Sequence, residues 1–192
     1  MNFLAHLHIA DHCQSNLLGN LLGDFVKGAP EPHYPEAIAK GVRLHRFVDS
    51  YTDQHSEVKC VKALFANGTR RYAPIALDMF WDHCLAAHFS DYHPQSLSSF
   101  SCAAHRRVAK DMQLALPPRF VQVHSAMQQG RWLESYQHLD NIGYALERMS
   151  QRSPRMAPLA DCFAYLERHQ SRLTEVFSRF YPQVLNASKS FC

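Results

Sequence analysis

The chain has 192 residues, 46% of them hydrophobic and 19% charged, with a formal net charge of +3. That length suits one domain with a sizeable core, and the composition excludes a disordered or low-complexity chain. Seven glycines and the lack of sustained apolar–polar alternation argue against a sandwich or barrel. No apolar run reaches the ~18 residues of a membrane span. The two histidines in the opening segment are out of place in a signal peptide, so a cytoplasmic protein is expected. The six cysteines, at 13, 60, 84, 102, 162 and 192, include no CxxC pair, so reduced thiols are expected rather than disulfides or a zinc knuckle.

Taken in chain order, the apolar spacing is helical nearly throughout. Ser15 is placed to cap a helix over 16–25, in which Leu17, Leu18, Leu21, Leu22 and Phe25 recur at helical intervals. Gly28, Pro30 and Pro32 stop it. Pro35 suits the first turn of a long helix through Ile38, Val42, Leu44, Phe47, Val48 and Tyr51. A shorter piece follows over 57–65, ended by Asn67-Gly68. Pro74 opens a helix carrying Ile75, Leu77, Phe80, Trp81, Leu85 and Phe89. Further helices are expected over 95–116, 118–129, 133–149 and 156–181, with breaks at Pro117-Pro118 and Ser153-Pro154. No repeat or linker divides the chain, so residues 1–192 are read as a single all-α domain.

Histidine is over-represented: nine of the 13 lie at or before His93, together with seven of the ten aspartates. Imidazole and carboxylate are the donors that divalent first-row metals take. Residues 1–98 carry a net −2 and residues 99–192 a net +5, so metal chemistry is expected in the first half and a basic surface in the second.

Three constellations could carry chemistry. His45, Asp49 and Asp53, four apart, form one polar column on a helix, either solvated or lining an internal cavity. Asp78, Asp82 and His83 sit among Phe80, Trp81 and Leu85, where buried charge needs a partner or a metal. Asp78 also suits a helix N-terminus through the dipole. Asp24 closes a helix that carries Gly19 and Gly23. The dipole disfavours a carboxylate there, and the glycines suggest close approach of a helix or ligand. His6 and His8, two apart, would both serve as ligands on a strand, while on a helix they point away from each other, one toward such a site and the other into packing. No nucleophile elbow, P-loop, dinucleotide fingerprint or HExxH pattern is present.

Asn2-Phe3-Leu4-Ala5-His6, Leu17-Leu18-Gly19-Asn20 with Gly23-Asp24-Phe25, Leu44-His45-Arg46 with Asp49, Thr52-Asp53-Gln54-His55, and Trp81-Asp82-His83 occur in this order. The combination closely resembles the bacterial acyl carrier protein phosphodiesterases, regarded as atypical HD phosphohydrolases. The resemblance implies an all-α helical bundle of the HD-phosphohydrolase type. It implies a divalent metal, Mn²⁺ foremost (otherwise Mg²⁺, Fe²⁺ or Co²⁺), and hydrolysis of 4′-phosphopantetheine from the serine of holo acyl carrier protein. The partner would be that acidic protein, with neither nucleic acid nor membrane involved.

On this reading Asp24, His45, Asp49, Asp82 and His83 surround the metal. Asp24, Asp53 and Asp78 are the catalytic carboxylates, and His6, His8 and His55 support the ligands. Arg46 and Arg43 would hold the phosphate. Arg70, Arg71, Arg106, Arg107 and Lys110 would dock the carrier protein, with Arg148, Arg152 and Arg155 as a second basic cluster. The alternatives are an HD-type phosphohydrolase of a nucleotide or small phosphodiester, and a non-catalytic helical metal-binding protein.

Overall fold

A computed structural model describes residues 1–66 and 68–192, and among these it contains helices and no strand. Asn67, one of the residues expected to end the 57–65 helix, lies outside them. The α-helices are α1 (Phe3–His12), α2 (Leu17–Leu22), α3 (Glu36–Gln54), α4 (Ser56–Lys62), α5 (Ala73–Ala87), α6 (Leu97–Ala109), α7 (Pro118–Gln129), α8 (Trp132–Ser135), α9 (Leu139–Ser150), α10 (Cys162–Arg168) and α11 (Gln170–Phe191). No helix in the described residues is long and apolar enough to cross a membrane.

α1 is the central helix. Every residue from Leu4 to Ala10 is buried, His6 and His8 included, so the helix has no solvent face and its two histidines must find partners inside. α5 packs against it and contributes Phe80 and Trp81, of which Trp81 meets Phe177 and Phe180 of α11. The Trp81–Phe180 ring centroids are 5.1 Å apart, edge to face, a packing geometry aromatic rings favour. One contiguous core runs from Met1 to Val184.

The α2–α3 pair is set by glycine. A Cβ on Gly19 would stand 2.3 Å from the carbonyl oxygen of Ile38, and one on Gly41 would stand 2.9 Å from the Gly19 Cα. The two backbones therefore touch where neither could carry a side chain.

Several expected boundaries move. Asn16, not Ser15, caps α2, accepting from the Gly19 N–H at 2.8 Å. The 133–149 segment divides at residues 136–138, where the Tyr136 carbonyl is taken by His83 Nδ1 at 2.8 Å and the Ser135 carbonyl by Asn141. The 156–181 segment becomes a 3₁₀ turn (Pro154–Leu159), α10 and α11, because Pro158 cannot donate to an α-helical ladder. Pro182, by contrast, lies within α11, which continues to Phe191.

Candidate active site

α1, α2 and α3 bring their polar groups to one point. From α3, His45 and Asp49 share a face one turn apart, and the His45 Nε2 lies 3.1 Å from Asp49 Oδ2. From α1, His6 Nε2 lies 3.1 Å from Asp49 Oδ1. The two imidazoles stack, centroids 3.7 Å apart and planes 15° from parallel. From the end of α2, Asp24 Oδ1 stands 3.4 Å from His45 Nε2. Among the described residues, His6, His45 and Asp49 form the set of three whose ligand atoms all lie within 4.8 Å of one another.

The His45 ring is held from behind, its Nδ1 2.7 Å from the Asn20 carbonyl oxygen. That contact makes Nδ1 the donor and leaves Nε2 to face the carboxylates. Gly23 makes room: a Cβ there would lie 2.1 Å from the imidazole. His45 Nε2 is buried and receives no well-directed hydrogen bond, although two carboxylate oxygens are close by. An imidazole nitrogen and carboxylate oxygens about 3 Å apart are the donor set and spacing that suit a borderline divalent cation, which would take the place of the ring proton. His6, His45, Asp49 and Asp24 thus fit such an ion.

Electrostatically the cluster is tightly balanced. Burial, and then the neighbouring His45, push His6 down to about 4. Burial works against a charge on His45 too, but Asp24 and Asp49 outweigh it and raise that imidazole to about 9. Desolvation opposes ionisation of Asp49, yet His45 and His6 hold its carboxyl far below the usual carboxylate range. Asp78 adjoins the cluster through the α-amino group of Met1, which is 2.7 Å from Asp78 Oδ1 and 3.5 Å from Asp49 Oδ1. Burial raises Asp78 to about 6, against the pull of that ammonium.

The remaining expected site residues fall elsewhere. Asp82 is fully buried but accepts from the backbone N–H groups of Leu4, at 2.7 Å, and Ala5, at 3.0 Å. The free N–H groups at the start of α1 satisfy it, where the sequence suggested a metal. His83 turns to the Tyr136 carbonyl. Asp53 points outward to Lys62 at 2.8 Å. His8 binds the Tyr181 hydroxyl at 2.7 Å, so of the two α1 histidines it is the one that packs. His55 caps α4 and meets Gln183.

Arg43 pairs with Glu31, and Arg46 donates to the carbonyls of Val26 and Gly28, so both expected phosphate donors are spent on the protein itself. Among the basic residues, Arg107 pairs with Asp11, whereas Arg106 is exposed on α6 and Lys110 is exposed at its C-terminal cap. Arg71 lies against Tyr72 and donates to the Arg155 carbonyl at 3.0 Å. It thereby joins the Arg70–Arg71 pair to the Arg155 cluster. His6 as a direct member of the cluster is what the sequence alone left open, since helical geometry sends one of His6 and His8 toward Asp49 without saying which.

The protein-family model described as "Acyl carrier protein phosphodiesterase" matches residues 1–184. The chain is 43% identical to the acyl carrier protein phosphodiesterase of Serratia proteamaculans over 190 residues, covering 98% of both chains. It is 42% identical to that of Salmonella dublin over 186 residues, 96% of each, and 41% identical to that of Klebsiella pneumoniae over 191 residues, 99% of this chain and 98% of the relative. No solved structure matches the chain.

Proposed function

The chain belongs to the acyl carrier protein phosphodiesterase family, a family of phosphoric diester hydrolases, and from that premise we propose that it removes 4′-phosphopantetheine from holo acyl carrier protein. In the balanced reaction water adds its oxygen to phosphorus, the bond between phosphorus and the serine oxygen breaks, and the serine oxygen leaves carrying a proton. The products are apo carrier protein and 4′-phosphopantetheine. The observation that carries the reading is the buried, unbonded His45 Nε2 facing Asp24 and Asp49 beside a stacked His6.

His6, His45, Asp49 and Asp24 would hold a divalent cation, Mn²⁺ foremost and otherwise Mg²⁺, Fe²⁺ or Co²⁺. Such an ion supplies Lewis acidity toward the phosphodiester oxygens and lowers the pKa of a water. The residues do the remainder. Asn20 and Gly23 fix the His45 ring by a hydrogen bond and by close fit. Asp82 anchors the start of α1 and so sets where His6 stands. Asp78, its carboxyl raised to about 6, is the group beside the cluster that takes the proton from the attacking water, since a base titrating near neutrality is the efficient kind. The arrangement of paired histidines and aspartates in an all-helical frame is read as a divergent HD-phosphohydrolase type.

The test is mass spectrometry of purified holo acyl carrier protein after incubation with the protein and Mn²⁺, with an EDTA control. Metal-dependent loss of the phosphopantetheine mass is expected. An unchanged carrier protein in the presence of bound Mn²⁺ would turn attention to nucleotides and small diesters, and would sink this substrate assignment.

A further inference from the structure

Arg46 follows His45 on α3, and its guanidinium reaches across to the segment that leaves α2. Nη2 donates to the Val26 carbonyl at 2.6 Å and Nη1 to the Gly28 carbonyl at 2.8 Å. These acceptors lie in the connection between α2 and α3, where no helical N–H is there to take a backbone carbonyl. Gly28 has φ 74°, with nothing within 4 Å of where a Cβ would stand. Backbone conformation, not space, therefore calls for glycine there. Lys27, between the two clamped carbonyls, is exposed.

Asp24 opens this same segment. Phe25 and Val26 both donate to the Leu22 carbonyl, at 2.9 and 3.0 Å, so the chain turns tightly off α2 and carries Asp24 to within 3.4 Å of His45 Nε2. From that turn to the start of α3 the side-chain ties back to α3 are those of Arg46 and the Arg43–Glu31 ion pair.

We propose that Arg46 is a positioning residue for the metal centre: its fork clamps the 26–28 segment and so keeps Asp24 facing His45, in place of binding the substrate phosphate. The inference rests on the proposed metal centre for its consequence, while the clamp itself can be tested without metal. A planar guanidinium reaches two carbonyls at once and an ammonium does not, so lysine is an incomplete replacement.

The clamp has a direct reporter in Lys27, a trypsin site held between the two anchored carbonyls. In limited digestion of the metal-free full chain, followed by mass spectrometry, cleavage after Lys27 is expected to accelerate at least about tenfold in Arg46→Ala, with an intermediate rate in Arg46→Lys. Gly28→Ala strains the same segment without touching Arg46 and is expected to release it likewise, so the test survives if one variant folds poorly. Calorimetric Mn²⁺ titration of Arg46→Ala is expected to show affinity lowered about tenfold or more, as for outer supports of metal ligands.

Unchanged protection of Lys27 in both variants would overturn the clamp. Faster cleavage with wild-type Mn²⁺ affinity would overturn its link to Asp24. A raised KM at saturating Mn²⁺, with Lys27 still protected, would show phosphate binding instead. Wild-type protein that takes up no Mn²⁺ would sink the metal centre, and the Lys27 comparison would then decide the clamp alone.

Discussion

At the scale of single residues, the cluster depends on two groups that tolerate no change for different reasons. Asp49 bridges the two imidazoles, one carboxylate oxygen to each. Asn in its place keeps the shape but removes the charge and turns one arm into a donor facing a nitrogen. Asp49→Asn is therefore expected to fold, by circular dichroism, and to lose Mn²⁺ affinity by more than ~100-fold together with turnover, a larger effect than the loss of an outer support. Gly23 acts through space alone. With a Cβ 2.1 Å from the His45 ring, Gly23→Ala must push the imidazole off the Asn20 carbonyl. Overpacking of this kind costs about 1–3 kcal/mol, to be read from urea denaturation, and Mn²⁺ affinity should fall with it. Wild-type affinity in this variant would show that the ring does not need its present seat.

His124 offers a residue-scale pH test away from the cluster. It is 5% exposed and touches His105 at 3.4 Å. Burial, and then His105, push it down to about 4 from 6.5. Between those values the unfolded chain binds the proton and the folded chain does not. Its contribution to stability is therefore present above about 6.5 and lost as pH falls through the window toward 4. At about 1.4 kcal/mol per unit the loss is bounded by roughly 3.5 kcal/mol. Urea denaturation of wild type and His124→Gln between pH 7 and 4 should show the variant losing less stability on acidification. Parallel losses would remove His124 from the account.

At the scale of elements, the sequence was most legible where one helix carried the whole signal. The His45–Asp49 spacing on α3 placed two members of the cluster, and the glycines of α2 announced the close approach that the structure shows with α3. Asp82 was open in the sequence because a buried carboxylate in an apolar helix has two remedies, a metal or the free N–H groups of another helix. Nothing in a single sequence tells which helix start will arrive. The partners of His83 and Asp53 were hidden for the same reason, since a backbone carbonyl at 136 and a lysine on the next helix are tertiary partners without local signature. Asp82 as an anchor for α1 has its own consequence: Asp82→Ala strands buried N–H groups of Leu4 and Ala5, costing about 1–3 kcal/mol. The same change shifts His6 from Asp49. Asp53→Ala, which breaks only an exposed pair with Lys62, should cost no more than about 1 kcal/mol. Equal effects of the two variants on denaturation midpoint and Mn²⁺ affinity would refute the distinction.

At the scale of the whole molecule, charge is divided along the chain, with a net −2 over residues 1–98 and +5 over residues 99–192. The cluster of histidines and aspartates lies in the first part, and most exposed arginines lie in the second. The structure redraws how those arginines group. Arg107 is neutralised by Asp11, while the contact of Arg71 with the Arg155 carbonyl gathers Arg70, Arg71 and Arg155 from distant stretches of sequence onto one surface. An acidic carrier protein would be steered toward such a surface, with attraction between exposed charges screened over about 8–10 Å at ordinary salt. Raising the salt concentration should therefore raise KM for carrier protein several-fold while leaving hydrolysis of a small phosphodiester nearly unchanged. Reversing charge in the paired variant Arg70→Glu with Arg155→Glu should flatten that salt response and raise KM with kcat preserved, because neither residue touches the cluster. Arg107→Ala should do neither, since its charge is already spent on Asp11. A salt response equal in wild type and the double variant would place the docking surface elsewhere on the molecule, and the exposed Arg106 of α6 and Lys110 at its end would be the next to reverse.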